Sequence, residues 1–150
     1  MTARRVDQTD MGTHGIPRFA LYACLFAMIG CENRAKRTHP QAARDLVALQ
    51  RHWDGEDLDA FVAHANQTHY LDDATGLAER LSQLRADVGA IRQKAEPLID
   101  TKPADPRAYA VAHQVFACET GVLEFSVAYD TELRIVGFHV NGNAMPATPR

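Results

Sequence analysis

The chain has 150 residues, of which 46% are hydrophobic and 23% charged, and its net charge is −3. This length supplies one domain with a real core, and a mildly acidic chain without a long basic run argues against nucleic acid as a partner. The three cysteines form no Cys-x-x-Cys pair, and no phosphate-binding glycine loop or dinucleotide fingerprint occurs. No cofactor is therefore expected.

The N-terminal segment has the pattern of an export signal. Residues 1–18 are polar and carry three arginines, and an uncharged run of twelve residues follows at 19–30. A membrane-spanning helix needs about 20 apolar residues, so the run is too short for a span and fits the core of a secretory signal. The translation start is left open between Met1 and Met11.

The end of this run, Met28-Ile-Gly-Cys31, resembles the lipobox of bacterial lipoproteins, in which an aliphatic and a small residue precede an acylated cysteine. The resemblance implies that residues 1–30 are a signal peptide and that Cys31 carries diacylglycerol at the mature N-terminus. Several acyl chains anchor a protein stably. The domain would face the periplasm or the exterior of the bacterial cell envelope, behind a polar tether at 31–40. Alternatively, residues 19–30 begin a buried helix and Cys31 is an ordinary apolar residue.

Three helices are predicted before residue 95 from apolar residues at helical spacing. They cover Ala42–Trp53, Glu56–Asn66 and Leu77–Gln93. Pro40 precedes the first helix, and Gly55 follows it as a residue suited to a left-handed C-terminal conformation. The segment 72–75 is predicted to be a turn and cap. The last helix carries the clearest apolar stripe, at Leu77, Leu81, Leu84, Val88 and Ile91.

Three consecutive antiparallel strands are predicted at Ala108–Glu119, Val122–Asp130 and Leu133–Asn141, and prolines suggest an edge strand at Ala95–Asp100. A loop at 119–121 would place Val115 opposite Phe125 and His113 opposite Val127. A tight turn at 131–132 would place Glu124 opposite His139. Alternation then gives one apolar face. Its members are Tyr109, Val111, His113, Val115, Ala117, Leu123, Phe125, Val127, Tyr129, Val136, Phe138 and Val140.

Helices followed by an antiparallel sheet indicate an α+β domain. The segment Gly55-Glu-Asp-Leu-Asp-Ala-Phe61 resembles the Gly-Asp-x-x-x-Ala-Phe turn of NTF2-like domains, and residues 125–138 are similar to the strand–turn–strand ending of that superfamily. Leu133 replaces the usual turn glycine. The resemblance is closest to small DUF3887-type domains and spans residues 41–141, leaving 142–150 as a disordered tail. It implies a cone, in which helices cover a curved sheet around a pocket.

In such a cone, the pocket would be lined by Tyr109, His113, Phe125 and Phe138, with the first two as polar groups. The simpler interpretation of His113 is a hydrogen-bonded core histidine.

Other polar groups have both a functional and a structural interpretation. Glu124 and His139 are either an acid/base couple or a solvated cross-strand ion pair. The densest group of possible metal ligands is His64, His69, Asp72 and Asp73. Its spacing matches no established site, so no metal is expected. Cys118 has no cationic neighbours in sequence and is predicted to pack in the sheet.

The leading interpretation is a lipid-anchored envelope protein whose domain binds a small apolar ligand, a peptide or a partner protein without catalysis. One alternative is an isomerase or dehydratase that uses Tyr109 and His113. Another is a dimerisation module, with a homodimer as the assembly. The fold alone does not choose among them.

Overall fold

The computed structural model describes residues 18–71 and 73–144, with side chains from Gly30 onward. The helices are α1 (Arg18–Asp54), α2 (Leu58–Ala65) and α3 (Ala74–Val88). The strands are β1 (Ile91–Lys94), β2 (Leu98–Asp100), β3 (Ala110–Cys118), β4 (Gly121–Tyr129) and β5 (Ile135–Ala144). Helices followed by a curved antiparallel sheet confirm the predicted α+β class, in an arrangement consistent with an NTF2-like cone.

The sheet has β3 and β4 at its centre. β5 pairs with β4 and forms one edge. At the other side of β3, β1 and β2 are successive pieces of a single edge, since Ile91 lies opposite Cys118 and Leu98 opposite His113. Pro97 lies in the break between them, where the missing N–H of proline is tolerated. The predicted edge strand is therefore shorter than expected, and the residues before it form a separate strand.

The predicted register between β3 and β4 is wrong by one residue. Their turn contains two residues, Glu119 and Thr120, so Gln114 lies opposite Phe125 and His113 opposite Ser126. This one-residue difference moves every side chain of β3 to the opposite face of the sheet from the predicted one. Its inward residues are Ala110, Ala112, Gln114, Phe116 and Cys118, whereas Val111, His113, Val115 and Ala117 face away from the helices.

The end of α3 fixes this two-residue turn. The N–H of Thr120 donates to the carbonyl of Val88 at 3.0 Å, and its hydroxyl donates to the carbonyl of Asp87 at 2.7 Å. Glu119 donates to the carbonyl of Ala90 at 3.0 Å. Because these bonds join residues far apart in sequence, alternation within β3 could not reveal them.

The apolar face of β4 and β5 is largely as predicted. Val127 lies opposite Phe138 and Phe125 opposite Val140. The rings of Phe125 and Phe138 are 5.6 Å apart on the same side of the sheet. A register shift beside Tyr129 buries Ile135 in place of Val136.

The predicted pairing of Glu124 with His139 is wrong because the register between β4 and β5 differs by two residues from the predicted one. His139 lies opposite Ser126, and Glu124 lies opposite Asn141. The connection is longer than the two-residue turn that the prediction assumed, and Leu133 within it adopts a left-handed φ of 62°. The strand then continues to Ala144, so the predicted tail at 142–150 is ordered at its start. Residues 145–150 lie outside the described part.

Two helix ends differ from the prediction. α3 stops at Val88, because Gly89 adopts a φ of 79°, and Ile91 belongs to β1. After α1 the left-handed residue is Glu56, with a φ of 57°, rather than Gly55. The predicted cap of α3 is confirmed at Asp73, whose carboxylate accepts the Gly76 N–H at 2.8 Å; Asp72 lies outside the described residues.

α1 is longer than predicted and continues through Pro40. The segment at 31–40 is therefore helical, not an extended tether. Thr38 is fully buried, Arg37 donates to the carbonyl of Thr131 at 3.0 Å, and Arg34 lies 4.8 Å above the ring of Tyr109. These contacts hold the segment against the body. Among the described residues, no helix combines the length and apolar character needed to cross a bilayer.

Candidate functional site

The outer face of the sheet, which points away from the helices, carries a row of side chains from four strands. The row comprises Leu98, His113, Ser126 and His139, which are successive cross-strand partners. Direct partners on neighbouring strands share a face, so these side chains are neighbours. Leu98 is 69% exposed, and His139 is also exposed.

His113 is the hydrogen-bonded centre of this face. Its Nδ1 lies 2.9 Å from the hydroxyl of Ser126 and 3.7 Å from a carboxylate oxygen of Glu124. A serine nucleophile needs a histidine that contacts the serine through one ring nitrogen and its carboxylate through the other. Here both partners approach the same nitrogen, so the group lacks the geometry of a nucleophilic triad. Among the described residues Nε2 has no hydrogen-bond partner, which leaves it free for a group outside the chain.

Apolar side chains flank this polar centre. Val115 is 45% exposed and Val122 is 41% exposed. The sequences of β3, β4 and β5 contain neither lysine nor arginine. A sheet face in contact with water is usually polar, and depletion of charge with exposed apolar groups is typical of protein interfaces. The outer face of β3–β5 thus combines exposed valines with one acidic side chain, Glu124, and its strands carry no basic residue other than histidine.

The predicted pocket residues do not come together around one cavity. Phe125 is fully buried against the rings of Trp53, Phe61 and Phe116. Aromatic rings thus fill the region between helices and sheet where the cone pocket was expected.

The other predicted pocket residues lie at three separate places. Phe138 lines a groove of about 350 Å³ between α3 and β5. Tyr109 lies beneath Arg34, and His113 lies on the outer face. The pocket prediction is therefore wrong for His113, because it depended on the incorrect register of β3. For Tyr109 it stays a prediction.

Sequence reasoning missed a buried polar cluster at Asp45. Its carboxylate accepts hydrogen bonds from Gln41 at 2.9 Å and from the Tyr129 hydroxyl at 3.1 Å, and lies 3.1 Å from Nε2 of His64. Burial raises the pKa of Asp45, but the bonds to His64, Gln41 and Tyr129 outweigh burial and leave the pKa below its ordinary value. Asp45 occupies the apolar stripe of α1 beside Leu46. A carboxylate within an apolar stripe was the feature of the sequence that could have indicated a buried polar cluster.

Two of the four candidate metal ligands have separate structural contacts. His64 contacts Asp45, and Asp73 caps α3. Across residues 18–71 and 73–144, no three His, Cys, Asp or Glu side chains come together in a way that would hold a metal ion. Cys118 is buried in the sheet as predicted, and burial raises the pKa of its thiol.

No protein-family model, curated protein or solved structure matches this chain. The class that the structure defines is an α+β domain with a helix-covered antiparallel sheet. The NTF2-like assignment stays a prediction from sequence resemblance.

Proposed function

We propose that this chain is a lipid-anchored protein of the bacterial cell envelope whose NTF2-like domain binds a partner protein without catalysis. The outer face of β3–β5 is the binding surface. The observation that carries this proposal is the exposure of Val115 and Val122 around His113 on strands that contain no lysine or arginine.

Local geometry at the lipobox supports the anchor. Gly30 is exposed, and a Cβ built there meets no atom of the described residues within 4 Å. Cys31 is a free, half-buried thiol. The bond between these residues lies within α1, so cleavage requires the start of this helix to unwind. The open surroundings of Gly30 then leave room for a peptidase, and the thiol of Cys31 is partly exposed for acylation.

Binding of a small apolar ligand inside the cone has less support than binding of a protein. The rings of Phe61 and Phe125 are 5.3 Å apart, and those of Phe61 and Phe138 are 5.4 Å apart, in contacts typical of a closed aromatic core. An isomerase or dehydratase also has less support, since His113 faces away from the helices while Phe125 is buried beneath them.

Metabolic labelling with an alkyne fatty acid tests the anchor. We expect label on the wild-type chain expressed in a bacterium and none on Cys31→Ser. Cys118→Ser is the matched control and should keep the label. Equal labelling of Cys31→Ser and wild type, or an unlabelled wild type, would refute the anchor.

Site-specific photocrosslinking in the cell tests the binding surface. A benzoyl-phenylalanine at Val115 should give a discrete crosslinked species. The control position is Val47 on α1, which is 42% exposed against 45% for Val115. The surface assignment is contradicted if Val115 gives no crosslinked species, or only those that Val47 gives. His113→Ala should reduce the yield at Val115, because it removes the polar centre of the surface.

A further inference from the structure

The two edges of the sheet are protected differently against pairing with another strand. The β1–β2 edge carries Arg92, Lys94 and Pro97, which are residues that natural proteins use to prevent edge pairing. β5 contains no lysine, arginine or proline over its whole length, and within the described part of the chain it pairs only with β4. The carbonyl of Ile135, at the start of β5, accepts the hydroxyl of Thr68. From Val136 onward the outer edge of β5 lacks the charged residues and proline that protect the other edge.

The groove of about 350 Å³ follows this edge. Its lining includes every residue from Phe138 to Gly142, together with Leu77 and Leu84 of α3. Successive side chains of a strand point to opposite faces, so a cavity that touches consecutive residues lies beside the strand rather than over one face. The groove therefore provides the position that an additional strand would take, with α3 as its wall.

α3 places opposite charges at the two ends of the groove. Arg80 and Asp87 are both exposed and both line it. Their seven-residue separation corresponds to roughly 10.5 Å along a helix.

The direction of α3 fixes which charge lies at which end. The helix runs in the same direction as β5, because Leu84 lies against Gly142 and Val88 lies against Gly121, the partner of Ala144. Arg80 is thus nearer the start of the groove, and Asp87 is nearer its end.

We propose that the occupant of this groove is a second copy of the chain, whose β5 pairs antiparallel with β5 about a twofold axis. Such an axis brings Arg80 of each copy to Asp87 of the other, so the groove is complementary to itself. The two sheets become continuous, and both outer faces lie on the same side. The pairing goes beyond the proposed function and is independent of the anchor at Cys31.

Charge reversal with rescue tests the pairing in the full-length chain in mild detergent, by analytical ultracentrifugation. The wild type should be a dimer. Arg80→Glu and Asp87→Lys should each weaken it by roughly tenfold or more, because each places two like charges together. The double variant should restore the dimer. Glu79→Lys, which changes an exposed carboxylate of α3 outside the groove lining, should leave it intact.

Cysteine crosslinking locates the interface independently of charge. Asn141→Cys or Asn143→Cys on β5 should form a disulfide-linked dimer on oxidation. Glu96→Cys at the other edge and Val115→Cys on the outer face should not. A monomeric wild type, a dimer insensitive to both single reversals, or the absence of rescue would overturn the pairing. Preferential crosslinking through Val115→Cys would assign the dimer to the outer face and would equally overturn it.

Ultracentrifugation can also show that a strand of another protein, rather than a second copy of the chain, occupies the groove. If full-length material sediments as a complex with another polypeptide that Arg80→Glu releases, and never as a dimer, the self-pairing is wrong. Fatty-acid labelling and crosslinking at Val115 in the cell test the proposed function without depending on the β5 pairing. Failure of the pairing is therefore distinguishable from failure of the proposed function.

Discussion

The hydroxyl of Tyr129 donates to the carboxylate of Asp45 at 3.1 Å, across 84 positions of the chain. Tyr129 ends β4 and Asp45 lies in α1, so the bond joins the sheet to the helix that covers it. Both residues are buried, and Gln41 and His64 complete the surroundings of the carboxylate. A buried carboxylate is tolerated only when it is hydrogen-bonded in this way.

Removing the Tyr129 hydroxyl should destabilise the fold. Tyr129→Phe keeps the ring but deprives Asp45 of one donor, and we expect a loss of roughly 1–2 kcal/mol in the free energy of unfolding. Chemical denaturation followed by circular dichroism measures it. Tyr109→Phe is the control, because the ring of Tyr109, not its hydroxyl, contacts Arg34. Loss of this hydroxyl should lower the free energy of unfolding by less than about 0.5 kcal/mol. Equal losses for both variants would contradict a special role for the buried bond.

The lowered pKa of Asp45 predicts an acid-sensitive contribution to stability. A carboxyl whose pKa is lower in the folded state stabilises the fold above its unfolded-state pKa, about 3.9, and this contribution is lost as pH falls through the folded-state pKa. The free-energy difference between wild type and Asp45→Asn should therefore shrink as the pH falls below about 4. Urea unfolding at each pH measures it. A difference that does not shrink between about pH 4 and pH 3 would show that folding does not lower the pKa of Asp45.

Leu133 is a position where glycine should stabilise the protein. Its left-handed φ of 62° costs a non-glycine residue roughly 1–2 kcal/mol. The carboxylate of Asp130 accepts the N–H groups of Glu132 and Arg134, which holds the turn in place. Leu133→Gly should raise the free energy of unfolding by about 0.5–1 kcal/mol after the larger entropy of the unfolded glycine chain is counted. Thr131→Gly, in the same turn without a positive φ, should not stabilise; equal gains at both positions would contradict the strain.

The sequence was sufficient for the fold class and for the existence of the three long strands, because these depend on local composition. It was insufficient for the face of β3. Both faces of that strand are apolar, with Ala112 and Phe116 inside and Val111 and Val115 outside, so alternation supports either register. The hydrogen bonds of Thr120 to the end of α3 decide between them, and these are tertiary contacts.

The candidate site was affected by the same ambiguity. The sequence predicts His113, Glu124 and His139 as candidates, but a one-residue error in the β3–β4 register assigns His113 to the interior. A separate two-residue error in the β4–β5 register pairs Glu124 with His139. The structure instead places all three on the outer face, where Ser126 lies opposite both His113 and His139 and hydrogen-bonds to His113. The residue types were predictable from the sequence, whereas their neighbours depended on a β3–β4 turn one residue shorter than assumed and on a β4–β5 connection longer than assumed.

The contact of Arg34 and Arg37 with Tyr109 predicts that the segment 31–40 is held in place. Each guanidinium lies over the ring, at 4.8 and 5.9 Å from its centre. Tyr109→Ala should raise amide hydrogen exchange in residues 32–38 by roughly two- to fivefold, as expected for the loss of exposed cation–π contacts. Exchange in residues 46–54 of the same helix should not change, because Leu49 and Trp53 stay fully buried. Mass spectrometry after proteolysis resolves both segments. Tyr109→Phe retains the ring and should behave as wild type. Complete exchange of residues 32–38 in the wild type would contradict the contact and would support the tether predicted from the sequence.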